Sequence, residues 1–251
     1  MIIISDTLLL LPTLNEEEAI QAIAPEIPGD FDVLVVDGGS TDRTVDMARK
    51  LGFECITQKF GKGKGCGVRS AMEYFQGSGH KYLAMIDADY TNDPGEIKKM
   101  LKKMGEGGYD IVLGSRDRKL QRELLGRFSL FINWSTSSIV SLAYNNDLPD
   151  VQSSYWVYNR KAVETLYPLL TATGFEIEYD MIYHSWKEGL KVGHQPVYIR
   201  TRLGKSKFTN YLRLKQIYHG LTYVKKSLWI MFMSRPGNSC KDSGSVASDK
   251  K

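Results

Sequence analysis

Short apolar runs alternate with helical patterns through the first half of the chain, and this alternation constrains the fold more than any other feature. The runs are rich in Leu, Val and Ile and lie at Thr7 to Leu11, Asp32 to Val36, Tyr82 to Ile86 and Tyr109 to Leu113. They are typical of strands buried on both faces of a parallel sheet. Helical patterns accompany them at Glu16 to Ala24, Asp42 to Leu51 (with Thr41 as the expected N-cap), Cys66 to Phe75 and Pro94 to Met104. The order predicts an α/β fold: a doubly wound, mostly parallel sheet with helices on both faces.

The second half of the chain is less regular. We predict helices at Arg122 to Tyr144 and Glu178 to Glu188, and strands at Tyr155 to Tyr158 and Lys191 to Arg200. Residues 208–233 have the spacing of a basic amphipathic helix, whereas residues 234–251 offer little to bury. The predicted organisation is one α/β domain over residues 1–207, a C-terminal amphipathic helix over 208–233 and a disordered tail over 234–251.

Composition limits the class of protein and its compartment. Apolar residues make up 42% and charged residues 25% of the 251 residues, which excludes disordered and collagen-like chains. The three cysteines are odd in number and lack metal-ligand spacing, so we expect a reducing compartment without a disulfide framework or a zinc site. No apolar run approaches the roughly 20 residues of a membrane-spanning helix, and no basic segment precedes the first apolar residues. We expect the chain neither to cross a membrane nor to be exported.

Charge is unevenly distributed along the chain. Residues 201–251 contain 11 Lys and Arg against two Asp, a local charge of +9 within a net charge of +4. The preceding residues therefore carry −5. A basic segment after an acidic body indicates an anionic partner, such as a phosphate-bearing ligand, an anionic membrane surface or a nucleic acid.

Acidic residues follow two of the predicted strands, at the edge of the sheet where ligands of such folds bind. Asp87 and Asp89 follow the third run, and two carboxylates there are hard oxygen ligands for Mg²⁺ or Mn²⁺, ions that usually bridge to substrate phosphates. Asp37 follows the second run and is suited to accept hydrogen bonds from a nucleobase or ribose. The alternative is that both segments are polar turns.

Two basic, glycine-containing segments are candidates for phosphate binding. Gly61 to Gly65 precedes a predicted helix and has the composition of a phosphate cradle; the alternative is a flexible basic loop. Arg202 to Lys207 contains three cations that could neutralise a diphosphate leaving group or could equally lie on solvated surface.

Several enzyme classes lack their motifs in this sequence. The glycine-rich segment matches neither the Walker pattern nor the dinucleotide-binding pattern, so ATPase and nicotinamide-dehydrogenase functions are disfavoured. No H-x-x-H, G-x-S-x-G or C-x-x-C occurs, which leaves zinc hydrolases, serine hydrolases and dithiol redox enzymes without support.

A set of motifs in a fixed order carries more information than any one of them. The motifs are LPTLNEEE, VVDGGSTDRT, GKGKG, IDADYTNDP, GSR, QSSYW and GKSK. In this order they resemble the inverting nucleotide-sugar glycosyltransferases of the large family 2, which have a GT-A fold, and within that family the dolichyl-phosphate mannose and glucose synthases. The resemblance runs from about Leu8 to Phe208.

The resemblance implies roles for individual residues. It implies a donor site formed by Pro12, Leu14, Glu16, Val36, Asp37, Lys64, Asp87, Ala88, Asp89 and Arg116. It implies that Asp87 and Asp89 hold Mg²⁺ or Mn²⁺, that Asp89, Arg202 and Lys207 are catalytic, and that Arg122, Arg127, Ser153, Arg202 and Lys207 bind the acceptor. Tyr90 and Thr91 replace the Leu-Gln pair that is usual in mannose synthases, and Gly38 replaces a second Asp, so the third metal ligand and the nucleobase contact stay open.

The resemblance also implies a reaction and its partners. One sugar passes from a UDP- or GDP-linked donor to dolichyl or another polyprenyl phosphate with inversion, as in the supply of lipid-linked sugars for protein glycosylation. We expect the protein at the cytoplasmic face of a membrane, bound peripherally through residues 208–233, with no nucleic-acid partner. Two alternatives remain open: transfer to a sugar or protein hydroxyl with Glu178 or Asp180 as base, and a non-enzymatic phosphate- or RNA-binding protein.

Overall fold

The computed structural model describes residues 6–116, 122, 127–204 and 213–233. These residues include a seven-stranded sheet with the order β3-β2-β1-β4-β6-β5-β7. The strands are β1 (Thr7–Thr13), β2 (Asp32–Asp37), β3 (Glu54–Thr57), β4 (Tyr82–Met85), β5 (Ile111–Arg116), β6 (Trp156–Asn159) and β7 (Val192–Val197). Neighbouring strands are parallel except that β6 is antiparallel to both β4 and β5. The predicted doubly wound, mostly parallel sheet is confirmed.

Helices cover both faces of the sheet, as expected. They are α1 (Glu17–Ile23), α2 (Thr44–Lys50), α3 (Lys64–Gly77), α4 (Ile97–Gly107), α5 (Arg127–Tyr144), α6 (Arg160–Leu166), α7 (Ile177–Lys187) and α8 (Arg213–Met233). Leu9 and Leu11 of β1 share a hydrophobic core with residues of α1, α2 and α4. Leu8 and Leu10 share the opposite core with residues of α3, α5, α6 and α7. Because successive strand residues point to opposite faces, one apolar run serves both cores.

Helix α4 shows how local sequence sets an element. Its buried residues Ile97, Met100, Leu101 and Met104 recur at the spacing of one helical face. A short 3-10 turn, Pro94–Glu96, precedes it, and the Asp93 carboxylate caps that turn by accepting the Gly95 N–H. Gly108 ends the helix in the left-handed conformation, with φ 60°.

The N-cap expected for the second helix is wrong. Helix α2 begins at Thr44, and the carboxylate of Asp42 accepts the Thr44 N–H at 3.0 Å. The Thr41 N–H instead donates to the side chain of Asn15 at 2.7 Å. Asn15 belongs to the turn after β1. Thr41 therefore makes a tertiary contact instead of capping the helix as the local sequence predicts.

Several other boundaries differ from expectation. Strand β5 begins two residues later than predicted and includes Gly114 to Arg116, and the last predicted strand shrinks from Lys191 to Arg200 to the range of β7. Strand β3 was not predicted because it is short, partly polar and at the sheet edge; α6 was also missed.

The predicted C-terminal organisation is described only in part. Residues 213–233 are helical, within the range predicted for the amphipathic helix. The remainder of that range, the proposed tail over 234–251 and part of the helix predicted from Arg122 lie outside the described residues. In the described part of the chain, no helix combines the length and apolar character needed to cross a membrane.

Candidate active site

The candidate site lies along one edge of the sheet, which we call the rim, where β1, β2, β4 and β5 end and β6 begins. Asp37 and Arg116 are the last residues of β2 and β5. Asp87 lies shortly after the end of β4, and Ser154 shortly before the start of β6. Because β6 is antiparallel, residues that precede it reach the same edge as residues that follow the parallel strands.

Lys64, the first residue of α3, is buried between two carboxylates. Its Nζ lies 2.8 Å from Asp87 Oδ1 and 2.9 Å from Glu178 Oε1. Asp87 also accepts a hydrogen bond from Ser154 Oγ at 2.6 Å. Burial alone would lower the pKa of Lys64, but the two carboxylates outweigh burial and hold that pKa above its usual value. Burial would raise the pKa of Asp87, but Lys64 outweighs burial and lowers it. Lys64 and Asp87 are therefore both charged at neutral pH.

Arg202 bridges a second pair of carboxylates. Its Nη1 donates to Asp89 Oδ2 at 2.8 Å, and its Nη2 donates to Glu16 Oε1 at 2.6 Å. The backbone next to Arg202 also contacts Asp89, because the Leu203 N–H donates to the Asp89 carbonyl at 3.1 Å. The third guanidinium donor, Nε, is buried and donates to none of the described residues. Arg202 therefore neutralises two acids and retains a donor without a partner among the described residues.

Asp87 and Asp89 fit a divalent cation. Burial and the charge of Asp87 raise the pKa of Asp89, so added positive charge beside the two carboxylates is favourable. Within the described ranges, no group of three or more His, Cys, Asp and Glu is placed to hold a metal by itself. Mg²⁺ is usually bound by one or two carboxylates together with substrate phosphates and water. The two aspartates match that ligand set.

Asp37 organises the turn that follows β2. Its carboxylate accepts the N–H groups of Gly39 at 3.0 Å and Ser40 at 3.1 Å, and the Ser40 hydroxyl at 2.5 Å. Gly39 has φ 96°, a conformation that favours glycine. A Cβ at Gly38 would lie only 3.2 Å from the Thr13 carbonyl oxygen, so the turn also packs closely on β1. Contact between Asp37 and a nucleoside stays a prediction.

Two glycines of the segment predicted as a phosphate cradle pack closely against a neighbouring loop. A Cβ at Gly63 or Gly65 would lie 2.4 Å from the backbone oxygen of Thr173 or Ala172. The Cys66 N–H at the start of α3 donates to the Thr173 carbonyl at 3.3 Å. The glycines thus permit a close backbone contact that brings Lys64 to the rim.

The two candidate bases occupy different environments. Glu178 is buried and contacts Lys64 at the rim. Asp180 accepts the N–H groups of Thr171 and Ala172 at 2.9 and 3.0 Å, which ties its carboxylate to the preceding loop. Only Glu178 of the two contacts the residues at the rim.

The other residues predicted to bind the donor differ in whether their side chains are accessible. The side chains of Val36 and Ala88 are buried in the two hydrophobic cores, so only their backbone atoms remain to meet a ligand. Pro12 is partly buried and Leu14 is exposed at the end of β1. Glu16 lies at the rim but is paired with Arg202.

The predicted acceptor residues other than Arg202 differ in exposure and in how much of them is described. Arg122 and Arg127 are exposed, at or just before the start of α5. The Ser153 hydroxyl is buried and accepts the Tyr155 N–H at 3.2 Å, within its own turn. Lys207 lies outside the described residues. The part of the acceptor site assigned to these four residues stays a prediction.

Sequence reasoning missed two residues whose side chains contact residues of the rim. Ser154 donates to Asp87, and the buried carboxylate of Asp150 forms an ion pair with Arg116 at 2.6 Å. Both precede β6, and the sequence offers no sign that this strand runs antiparallel. The motif QSSYW was the available signal, and it directed attention to Ser153 instead.

A family model and several known proteins match this chain. Residues 9–167 match the model "Glycosyl transferase family 2". Glycosyltransferase AglJ of Haloferax volcanii is 34% identical over 73% of this chain and 59% of the relative. The low-salt glycan biosynthesis hexosyltransferase Agl6 of the same organism is 29% identical over 80% of this chain and 49% of the relative. The chain thus spans between about half and three fifths of the length of these curated relatives.

Solved structures of glucosyl-3-phosphoglycerate synthase from Mycobacterium tuberculosis share the fold. The complex with phosphoglyceric acid matches with a TM-score of 0.67 at 17% identity, covering 90% of this chain and 80% of that chain. The complex with Mn²⁺, uridine diphosphate and glucosyl-3-phosphoglycerate matches with a TM-score of 0.64 at 17% identity and the same coverage. At this identity the similarity concerns the fold.

Proposed function

Because this chain belongs to glycosyl transferase family 2, we propose that it transfers one sugar from a nucleoside diphosphate sugar to a polyprenyl phosphate such as dolichyl phosphate, with inversion. Its fold is the GT-A fold expected from the sequence. The names of the two Haloferax relatives, a glycosyltransferase and a hexosyltransferase of glycan biosynthesis, are consistent with this reaction.

The observation that carries the proposal is the pairing of two cations with the two carboxylates that follow β4. Lys64 contacts Asp87 and Arg202 contacts Asp89, so positive and negative groups alternate along the rim. Negative charge develops on a diphosphate as it leaves, and cations that are already held in place stabilise that charge. The buried Nε of Arg202, which has no partner among the described residues, supplies a donor for a phosphate oxygen.

Asp87 and Asp89 are the residues that would hold Mg²⁺ or Mn²⁺. When bound, such an ion supplies charge neutralisation of the diphosphate as it leaves. This chain's own contribution is to orient the donor between the Asp37 turn and the two aspartates and to present Lys64 and Arg202 to its phosphates. Lys207 is proposed as a further cation on the same leaving group.

The two candidate bases already have partners, which favours an acceptor that is anionic without a protein base. Glu178 is paired with Lys64, and Asp180 accepts two backbone N–H groups. A phosphate monoester has a second pKa of about 6 and attacks without a protein base. Arg122 and Arg127 are the proposed contacts for its headgroup, together with Ser153.

Exposed aromatic residues support a location at a membrane surface. Helix α5 packs against α8, and Phe131 and Trp134 on α5 and Trp229 and Phe232 on α8 are all about half exposed or more. Exposed aromatic side chains on helices are typical of surfaces that insert into the headgroup region. The cytoplasmic face remains part of this proposal.

The test is a mass-spectrometric transfer assay with purified protein. The protein is incubated with Mg²⁺ or Mn²⁺, a short polyprenyl phosphate and a panel of UDP- and GDP-sugars, with EDTA as control. We expect a metal-dependent glycosyl-phosphoryl-polyprenol and one preferred donor. Donor hydrolysis without lipid product would redirect the search to hydroxyl acceptors, and no reaction with any donor would contradict the proposal.

Transfer to a hydroxyl is the second candidate, and the position of Glu178 favours it. Burial raises the pKa of Glu178 even though Lys64 opposes the shift, and a raised pKa suits a general base. If Glu178 is the base, Glu178→Gln lowers turnover by about 10²- to 10⁴-fold and abolishes the acidic limb of the pH profile. Asp180→Asn is the matched control, because its carboxylate supports the loop and its loss affects stability rather than the pH profile.

A further inference from the structure

Arg116, a cation at the rim, pairs with a carboxylate in the interior of the protein. Its Nε lies 2.6 Å from Asp150 Oδ2 and its Nη2 lies 2.8 Å from Asp150 Oδ1, a two-point contact that fixes the plane of the guanidinium. The side chain of Asp150 is fully buried, whereas that of Arg116 remains 22% exposed. The pair thus has a buried anchor and an accessible cation.

Asp150 is itself held by further donors. The backbone N–H of Arg116 donates to Asp150 Oδ2 at 3.1 Å, and Asn133 Nδ2 on α5 donates to Asp150 Oδ1 at 3.1 Å. The Ser137 hydroxyl, also on α5, accepts the Val151 N–H at 3.2 Å. A buried carboxylate with this many donors is fixed in place, so the direction of the Arg116 side chain is fixed as well.

The carboxylates near Lys64 also act on Arg116. Burial would lower the pKa of Arg116, but Asp150 outweighs it and raises that pKa, and Asp87 and Glu178 add to the increase. Both of these carboxylates contact Lys64 at the rim. In the sheet order, Arg116 on β5 lies on the opposite side of β4 from Asp37 on β2.

We propose that Asp150 and Asn133 are positioning residues that hold the Arg116 guanidinium at the rim to bind a phosphate group of a substrate. This inference deepens the proposed function and rests on it for the substrate class. The phosphate belongs either to the nucleoside diphosphate or to the acceptor, and both offer the same oxygen ligands to a planar guanidinium. Arg116 makes the contact, and Asp150 acts through Arg116.

Two variants test the positioning role, and one is a matched control. Asp150→Asn keeps the size of the side chain and removes its charge, and Asn133→Ala removes one donor to Asp150. The control is Asp110→Asn: Asp110 is also a buried carboxylate that accepts a backbone N–H and an Asn side chain, but it immediately precedes β5, at the end remote from Arg116. Should Asp150→Asn fail to fold, Asn133→Ala carries the test.

Two measurements separate the possible ligands. Calorimetric titration with UDP and with GDP in the presence of Mn²⁺ gives the nucleotide Kd without requiring transfer. Steady-state transfer gives kcat and KM for the sugar donor and for a short polyprenyl phosphate. We expect Asp150→Asn to worsen one of these constants by about 10²-fold, and Asn133→Ala to change the same constant less. A weaker nucleotide Kd identifies the donor diphosphate, and a raised acceptor KM alone identifies the acceptor phosphate.

A double-mutant cycle distinguishes positioning from a structural role. Because Asp150 acts through Arg116, Asp150→Asn should have no more than about a twofold further effect in an Arg116→Met background. If the full effect persists in that background, or if Asp150→Asn changes binding and transfer no more than Asp110→Asn does, the positioning role is wrong. Absence of transfer to polyprenyl phosphate by the wild type contradicts the proposed function. In that case the nucleotide titration decides the positioning role, and an unchanged nucleotide Kd in Asp150→Asn overturns it.

Discussion

At the scale of single residues, the rim is a set of ion pairs between partners that are distant in the sequence. Arg202 contacts Asp89 and Glu16 across 113 and 186 positions, and Lys64 contacts both Asp87 and Glu178. Lys64 and Arg202 each lie between two acids, so the loss of one acid leaves either cation with a partner. Substitutions here should therefore change chemistry more than they change folding.

Asp89→Asn tests this expectation most directly. We expect turnover to fall by at least about 10²-fold, because Asp89 both places Arg202 and is one of the two proposed metal ligands. The thermal midpoint should stay close to that of the wild type, since Glu16 still pairs with Arg202. Sugar transfer and thermal unfolding are measured together, with the exposed Asp46→Asn on α2 as control. Wild-type turnover in Asp89→Asn would rule out the assignment.

At the scale of elements, the sequence predicted the parts of the site that follow buried parallel strands. Asp37 and Asp87 could be placed at one edge because apolar runs precede them, and strands with helical crossovers end on the same side. Asp150 and Ser154 could not be placed there, because they precede an antiparallel strand whose direction depends on pairing with β4 and β5. The ion pairs of Lys64 and Arg202 also escaped prediction, since they depend on tertiary packing alone.

The start of α3 gives a prediction about close backbone contact. Gly65→Ala places a Cβ 2.4 Å from the Ala172 carbonyl oxygen, so the helix start or the facing loop must move. We expect a loss of about 1–3 kcal/mol in the free energy of unfolding, with reduced transfer because Lys64 is displaced.

Gly67→Ala is the matched control on the same helix. Its Cβ would meet only ordinary contacts, the nearest at 3.4 Å from the Gln58 side chain, so the variant should be neutral or more stable by about 0.5–1 kcal/mol. Urea unfolding and transfer assays compare the two variants. Equal behaviour of the two would show that the close contact has no energetic importance.

The remote end of β5 gives a pH-dependent prediction. Burial raises the pKa of Asp110, but the Lys191 N–H and the side chains of Asn159 and Lys161 outweigh burial and lower it. A lowered carboxylate pKa adds stability above the ordinary value of about 3.9, and that stability is lost as the pH falls through the folded-state pKa. Asp110→Asn should therefore be less stable than the wild type at pH 7, with the difference narrowing below about pH 4. Thermal unfolding across this range measures it, and a gap that widens in acid would contradict the sign.

At the scale of the whole molecule, the described surface combines a charged rim with exposed aromatic residues on α5 and α8. Phe131 is 59% exposed and Trp134 is 55% exposed. The polar side chains of Asn133 and Ser137 on the same helix α5 contact the segment before β6. Helix α5 therefore joins an exposed apolar surface to the segment that carries Asp150.

Vesicle flotation tests the role of these aromatic residues. Phe131→Ser with Trp134→Ser should weaken binding to phosphatidylserine-containing vesicles by about tenfold or more, because each buried aromatic contributes about 1.5–3 kcal/mol. Tyr198→Ser is the control, since Tyr198 is equally exposed at 59% and lies just after β7 rather than on α5 or α8. Equal flotation of all variants would contradict a membrane role for α5.

The ion pairs at the rim have a thermodynamic consequence for ligand binding. Lys64 and Arg202 engage the same carboxylates that a divalent cation would use. We expect a bound nucleoside diphosphate to give both cations a new anionic partner and so to release those carboxylates. The divalent cation and the nucleoside diphosphate should therefore bind cooperatively. By linkage the enhancement is reciprocal and on the order of 1–3 kcal/mol, about 5- to 150-fold in either affinity. Titration of Mn²⁺ with and without UDP or GDP measures this coupling, and equal affinities would mean that the ligands bind independently.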